Sequence, residues 1–226
     1  MHSIKSDARR AGLIYLLLAI TGAFSLFYMS GAFIVPGDAT ATARNITAAP
    51  LMYRVGVLSG LASDVIFLWL ALSLYDLLKD VDRKQARLMV ILVTAGSAVA
   101  LADLINQMAP LVLLSGADFL SPFSKPQLDA LAMAFLRLHS QGTYVEMAFW
   151  ALWLWPFGLL VIRSGFFPKL LGVLLIVGCA AYLAVSVTSI VLPAYSRGVS
   201  LIAMPFFMVG ELSMIVWLLV KGARET

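Results

Sequence analysis

Four carboxylates stand inside long apolar runs of this sequence: Asp64, Asp103, Glu146 and Glu211. Near them in sequence are Asn106, Gln107, His139 and Trp150, side chains able to donate, accept or stack. A charge at the centre of a bilayer costs at least about 2.5–3.5 kcal/mol, so four left alone would cost roughly 10 kcal/mol. Such acids must pair, carry a proton or meet water. One chemistry open to them is ligand or ion binding, with carboxylates that take up and release protons as in a transporter. The plainer alternative is hydrogen bonding between helices that only fixes their packing, as in a scaffold subunit without a small ligand. A metal-dependent membrane enzyme is a third. His139 and Glu146 lie two turns apart, about 10.5 Å along a straight helix, too far to hold one metal. The second histidine is His2, at the terminus, so a haem held by two histidines is excluded within one subunit. No glycine-rich phosphate loop and no G-x-S-x-G elbow is present. We therefore expect no metal, no cofactor and no catalytic residue set.

The elements that position these residues follow from composition. Of 226 residues, 62% are hydrophobic and 12% charged, against about 45–50% and about 25% in soluble domains. Long apolar runs call for helices, because in hydrocarbon only a helix or a closed barrel satisfies its own backbone. Six spans are expected, at about 12–34, 53–78, 88–114, 142–162, 170–192 and 200–220. The expected fold is an all-α integral membrane protein, a six-helix bundle in one domain. Pro36-Gly37-Asp38, Pro50 and Pro193 punctuate the runs. Ser124 and Gln127 form a capping pattern that opens a helix. From Pro126 to Ile162 one helix would be about 55 Å long, against about 30 Å of hydrocarbon. Residues 126–141 are therefore expected as an extracytoplasmic helix, with a break at Gly142.

Helical periodicity then assigns faces. His139, Glu146 and Trp153 recur at seven-residue steps, with Gly142, Thr143 and Trp150 beside them. Gly96, Asp103, Asn106, Gln107 and Pro110 share one side of the third span. Gly56, Ser59, Gly60, Ser63 and Asp64 share one side of the second, small residues that let helices approach closely. The partners within reach of the acids are Arg54, Arg137, His139, Asn106, Gln107 and Gln141, all in the outer half or near the middle. The expected ligand-binding set is Asp64, Asp103, Asn106, Gln107, His139, Glu146, Trp150 and Glu211, lining one outward-facing polar cavity.

Orientation follows from the basic residues. Most of the 16 Lys and Arg fall on one side: Lys5 to Arg10, Lys79 to Arg87, Arg163 to Lys169, and Lys221 to Arg224. The positive-inside rule puts that side, and both termini, in the cytoplasm. The net charge of +4 is thus a topology signal, and no nucleic-acid partner is expected. The first apolar run is too long for a cleavable signal core and is expected to stay as a span. Cys179, the one cysteine, lies in an apolar run as a small core residue. Membrane lipid is the expected partner, with a small or lipidic ligand and an oligomer both open.

Five blocks carry a resemblance. Residues 11–18 (AGLIYLLL), 113–120 (LLSGADFL), 137–139 (RLH), 149–158 (FWALWLWPFG) and 164–176 (SGFFPKLLGVLLI) resemble a bacterial membrane family, domain of unknown function 4386. The resemblance covers nearly the whole chain and is most specific over 149–176. It implies a bacterial inner-membrane protein of about six spans. It brings no activity and no site residues.

Overall fold

The computed structural model describes residues 3–224, so His2 lies outside the described residues. Among them there is no strand. The helices are α1 (Ile4–Ala23), continued through a π-helical turn (Phe24–Tyr28) into α2 (Met29–Phe33), then α3 (Ala39–Ala48), α4 (Pro50–Leu78), α5 (Arg83–Leu113), α6 (Lys125–Leu152), α7 (Leu154–Ser164), α8 (Lys169–Val191) and α9 (Ser196–Val220). Six stretches are long and apolar enough to cross a membrane: Ile4–Phe33, Pro50–Leu78, Arg83–Leu113, Lys125–Ser164, Lys169–Val191 and Pro193–Val220. The chain is an all-α, multi-pass membrane protein. Large apolar side chains such as Trp69, Ile91, Leu138, Val187 and Ile202 stand exposed along these helices, as hydrocarbon surroundings allow.

Helix ends follow local chemistry. Gly37 takes φ +81°, which its missing Cβ permits, and Asp38 caps α3 by accepting the Ala41 N–H at 2.8 Å. Gln127 reaches back so that its Oε1 accepts the Ser124 N–H at 2.8 Å, and α6 starts there. Asp82 accepts the amides of Lys84 and Gln85, so much of the charged 79–87 segment is already the first turn of α5. The break in the fourth span differs from the expected one. The chain is helical straight through Gly142 and is interrupted at Trp153 instead. Trp153 lies one turn before Pro156, whose ring crowds the carbonyl four residues back and which has no N–H to give. Glycine lowers helix propensity by about 1 kcal/mol, less than packing in lipid can offset, whereas proline costs about 3 kcal/mol or more.

Two compact units divide the chain. Unit one comprises Met1–Leu18, Val65–Ala98 and Tyr144–Thr226; unit two comprises Ala19–Asp64 and Val99–Thr143. In unit one the helices meet at glycines. A Cβ on Gly158 would strike the Gly172 carbonyl, and one on Gly172 the Gly158 carbonyl, so α7 and α8 touch backbone to backbone. Trp153 is fully buried in this unit, stacked on Phe157 at 5.2 Å and met edge-on by Phe67 and Tyr15.

In unit two the core is Met29, Phe33, Ile46, Tyr53, Val57 and Leu136, with Leu104 and Leu111 packed against it. Gly56 makes room for the Met29 thioether and Gly60 for the Ser25 hydroxyl. The small-residue face of α4 expected from sequence is thus a contact face for the first span. Ser59 adds a hydrogen bond to the Thr21 carbonyl at 2.9 Å.

Candidate functional site

In unit two, α5 and α6 bring a carboxylate, a carboxamide and an imidazole together. His139 Nδ1 lies 2.6 Å from Asp103 Oδ2, and Asn106 Nδ2 donates to Asp103 Oδ1 at 2.7 Å. The spacing explains the geometry. Asp103, Asn106 and Gln107 are three and four residues apart, so they share one side of α5. Gly142 stands one turn after His139 on α6, and a Cβ there would fall on the Asp103 carboxylate. Any larger residue at 142 would push the carboxylate from the imidazole. Thr143 Oγ1 donates to the His139 carbonyl at 3.1 Å, satisfying its own hydroxyl within α6.

The cluster is half sheltered. The Asp103 side chain is 9% exposed and the His139 side chain 22%. His139 Nε2 makes no hydrogen bond among the described residues, and neither does the Asn106 carbonyl oxygen. Gln107 is buried, and its Oε1 has no donor. Its main-chain carbonyl, by contrast, is bonded by the Tyr53 hydroxyl at 2.7 Å, which fixes that stretch of α5 against α4. A carboxylate–imidazole pair, with Asn106 bonded to it, thus lies on the side of α5 that also carries Gln107, and His139 Nε2, the Asn106 side-chain oxygen and Gln107 Oε1 make no hydrogen bond among the described residues.

Asp64, also in unit two, is half-buried and has no hydrogen bond or ion pair among the described residues. Arg54, Arg137 and Gln141, the expected partners, are exposed. Among the described residues the hydrogen-bond partners of the Asp103 carboxylate are His139 and Asn106.

Unit one holds a second acid in different company. Glu211 on α9 accepts the Tyr15 hydroxyl at Oε2, 2.6 Å away, and the Tyr182 hydroxyl at Oε1, 2.8 Å away. Tyr182 is stacked on Phe207 at 3.9 Å and met edge-on by Trp150. Tyr15 is fully buried against Trp153. Glu146 is buried in the same unit. Tyr15 and Tyr182 were not in the expected set. The signal available was a phenol in the middle of an apolar span, since a buried Tyr hydroxyl usually finds a partner.

Unit one also carries a cleft of about 500 Å³ lined by Asp7, Ser73, Asp76, Asp80 and Arg163, among others. Arg163, on its wall, is paired with Asp82 at 2.6 Å. The cleft gathers residues of α1, α4 and α7 with those of the charged turn after α4.

A family model, Domain of unknown function (DUF4386), matches residues 10–222. The chain belongs to that family. No curated protein and no solved structure matches it. The DUF4386 match takes in Asp103, Asn106, His139 and Glu211 and both tyrosines of unit one. The family's description assigns no activity, so the roles of these residues rest on their geometry. Among the described residues no three His, Cys, Asp or Glu side chains are grouped to hold a metal ion.

Proposed function

We propose that this DUF4386 protein binds or transports a small ligand at the Asp103–His139–Asn106 cluster, in step with a proton. Its setting in this reading is a bacterial inner membrane, with both termini in the cytoplasm, as the distribution of basic residues favours. The observation that carries the proposal is the 2.6 Å contact between His139 Nδ1 and Asp103 Oδ2, with Nε2 left unused. An imidazole held at one nitrogen offers the other to a ligand. The pair has two states that matter. With one proton beyond the neutral imidazole it is electrically neutral overall; without it, it carries one negative charge. In a medium where an uncompensated charge is costly, losing the proton favours gaining a cation, and the reverse. That exchange is the elementary step of proton-coupled binding.

Asp64 and Gln107 join the proposed set as neighbours in the same unit. Glu211 does not, because both of its oxygens are already taken by tyrosine hydroxyls. Glu146 and Trp150 belong with the packing around it in unit one.

A thermal-stability screen of purified protein against a library of small polar compounds tests the reading. A bound ligand at a hundred times its Kd stabilises by about 2.7 kcal/mol. Compounds that stabilise the wild type should lose their effect in Asp103→Asn and His139→Gln and keep it in Glu211→Gln. If every stabilising compound acts equally on all four proteins, the cluster is not the ligand site, and a scaffold role takes its place.

A further inference from the structure

The ligand class can be read from the hydrogen-bonding inventory of this cluster, and the inference rests on the ligand-binding reading above. We infer that the site takes a small primary ammonium ion, R–NH3+, in exchange for one proton. In the deprotonated state Nδ1–H donates to Asp103 Oδ2, and Nε2 is left as an acceptor. Asn106 has given an N–H to Asp103 Oδ1, and its own carbonyl oxygen is an unused acceptor. Gln107 Oε1 is a third, and it is the telling one. It is buried without a donor, its four-residue spacing from Asp103 puts it on the same side of α5, and a buried acceptor left without a donor is unfavourable. On this inference the three acceptors serve one site, which carries one net negative charge.

The complement of that inventory is a cation with several N–H donors. An ammonium group has three, enough for Nε2, the Asn106 oxygen and the Gln107 oxygen. A quaternary ammonium carries the charge but no donor. A carboxylate has the wrong sign and the wrong polarity. A metal ion would find two strong ligands only, Asp103 and His139, in a chain whose described residues group no three such side chains. When R–NH3+ leaves, a proton returns to the pair, the imidazole becomes imidazolium, and Nε2 turns from acceptor to donor. The exchange is one cation for one proton, with no bond made or broken in the ligand. The other titratable groups of unit two on these helices are Tyr53, whose hydroxyl is held by the Gln107 carbonyl, Asp64, Asp129 bonded to Lys125, and the exposed Arg54 and Arg137.

The test is calorimetric titration of the detergent-purified full chain with ethylammonium, tetramethylammonium and propionate. Each is run in two buffers of different ionisation heat, so that proton release is counted. The expected result is ethylammonium binding with about one proton released, tetramethylammonium at least about 10-fold weaker, and no propionate binding. Asp103→Asn should abolish the ethylammonium signal. Gln107→Leu, which keeps the Asp103 carboxylate and removes the carboxamide that carries the orphaned acceptor, should weaken it about 10-fold while the thermal transition stays in place. Equal or tighter binding of tetramethylammonium, or binding unaffected by Gln107→Leu, overturns the donor argument. Propionate binding that is lost in Asp103→Asn overturns the ammonium class but leaves the ligand-site reading standing. Silence from all three probes, with no proton release, overturns the ammonium inference, and the library screen then decides the reading beneath it.

Discussion

Asp103 in unit two and Glu211 in unit one are both carboxylates inside apolar helices, and both have two short hydrogen bonds. They differ in what lies one bond further out. The donors to Glu211 are phenol tips of rings packed on Trp153, Phe207 and Trp150, and a phenol that has donated its proton has no second polar atom to offer a ligand. The donors to Asp103 are an imidazole and a carboxamide, each with a second polar atom on the same side chain, and here those second atoms are unused. A Glu211-type acid is a closed knot whose work is to tie α1, α8 and α9 together. An Asp103-type acid is a relay, because a change at the carboxylate is felt at Nε2.

The comparison can be broken by substitution. Glu211→Leu should have the largest effect on stability. It leaves two tyrosine hydroxyls without acceptors, at about 1–2 kcal/mol each, so unfolding in detergent should become easier by about 2–4 kcal/mol. Ethylammonium binding should survive wherever the variant folds. Gly142→Ala comes next. Its methyl group meets the Asp103 carboxylate, an overpacking that costs about 1–3 kcal/mol, and ligand binding should be lost with it. A stability loss with binding intact would mean that Asp103 need not sit where it does. Tyr182→Phe removes one donor from Glu211 and keeps the ring, so about 1 kcal/mol is expected in the same unfolding assay. Gln107→Leu is the smallest, within about 0.5 kcal/mol of wild type or slightly more stable, since it replaces an unsatisfied polar atom by an apolar one. A large loss there would show that Gln107 is held by something in the fold and is not waiting for a donor.

The sequence made the six spans plain, because their apolar length leaves a chain in lipid few alternatives, and Pro36-Gly37-Asp38 and Ser124 marked helix ends by known stereochemistry. The shared face of Asp103, Asn106 and Gln107 was also legible, being fixed by spacing on one helix. What could not be read was the meeting of helices. That His139 stands against Asp103 depends on how α5 and α6 dock, and Gly142, read as a break, is the residue that permits the contact. Tyr15 and Tyr182 were passed over because a tyrosine in an apolar run counts as hydrophobic until its hydroxyl finds Glu211. The interruption at Trp153 was missed in favour of Gly142, although Pro156 stands one turn further on, where its missing N–H and its ring disrupt a helix more than glycine does.

The central claim is that His139 is anchored at one nitrogen and free at the other. Nitrogen-15 NMR of imidazole-labelled protein, with His2 replaced to leave one histidine, reads both atoms separately. On adding ethylammonium, the Nε2 resonance should move while Nδ1 keeps the signature of its bond to Asp103, and neither should respond in Asp103→Asn. If ethylammonium binds and both resonances stay where they were, or if Nδ1 alone moves, the relay is not there.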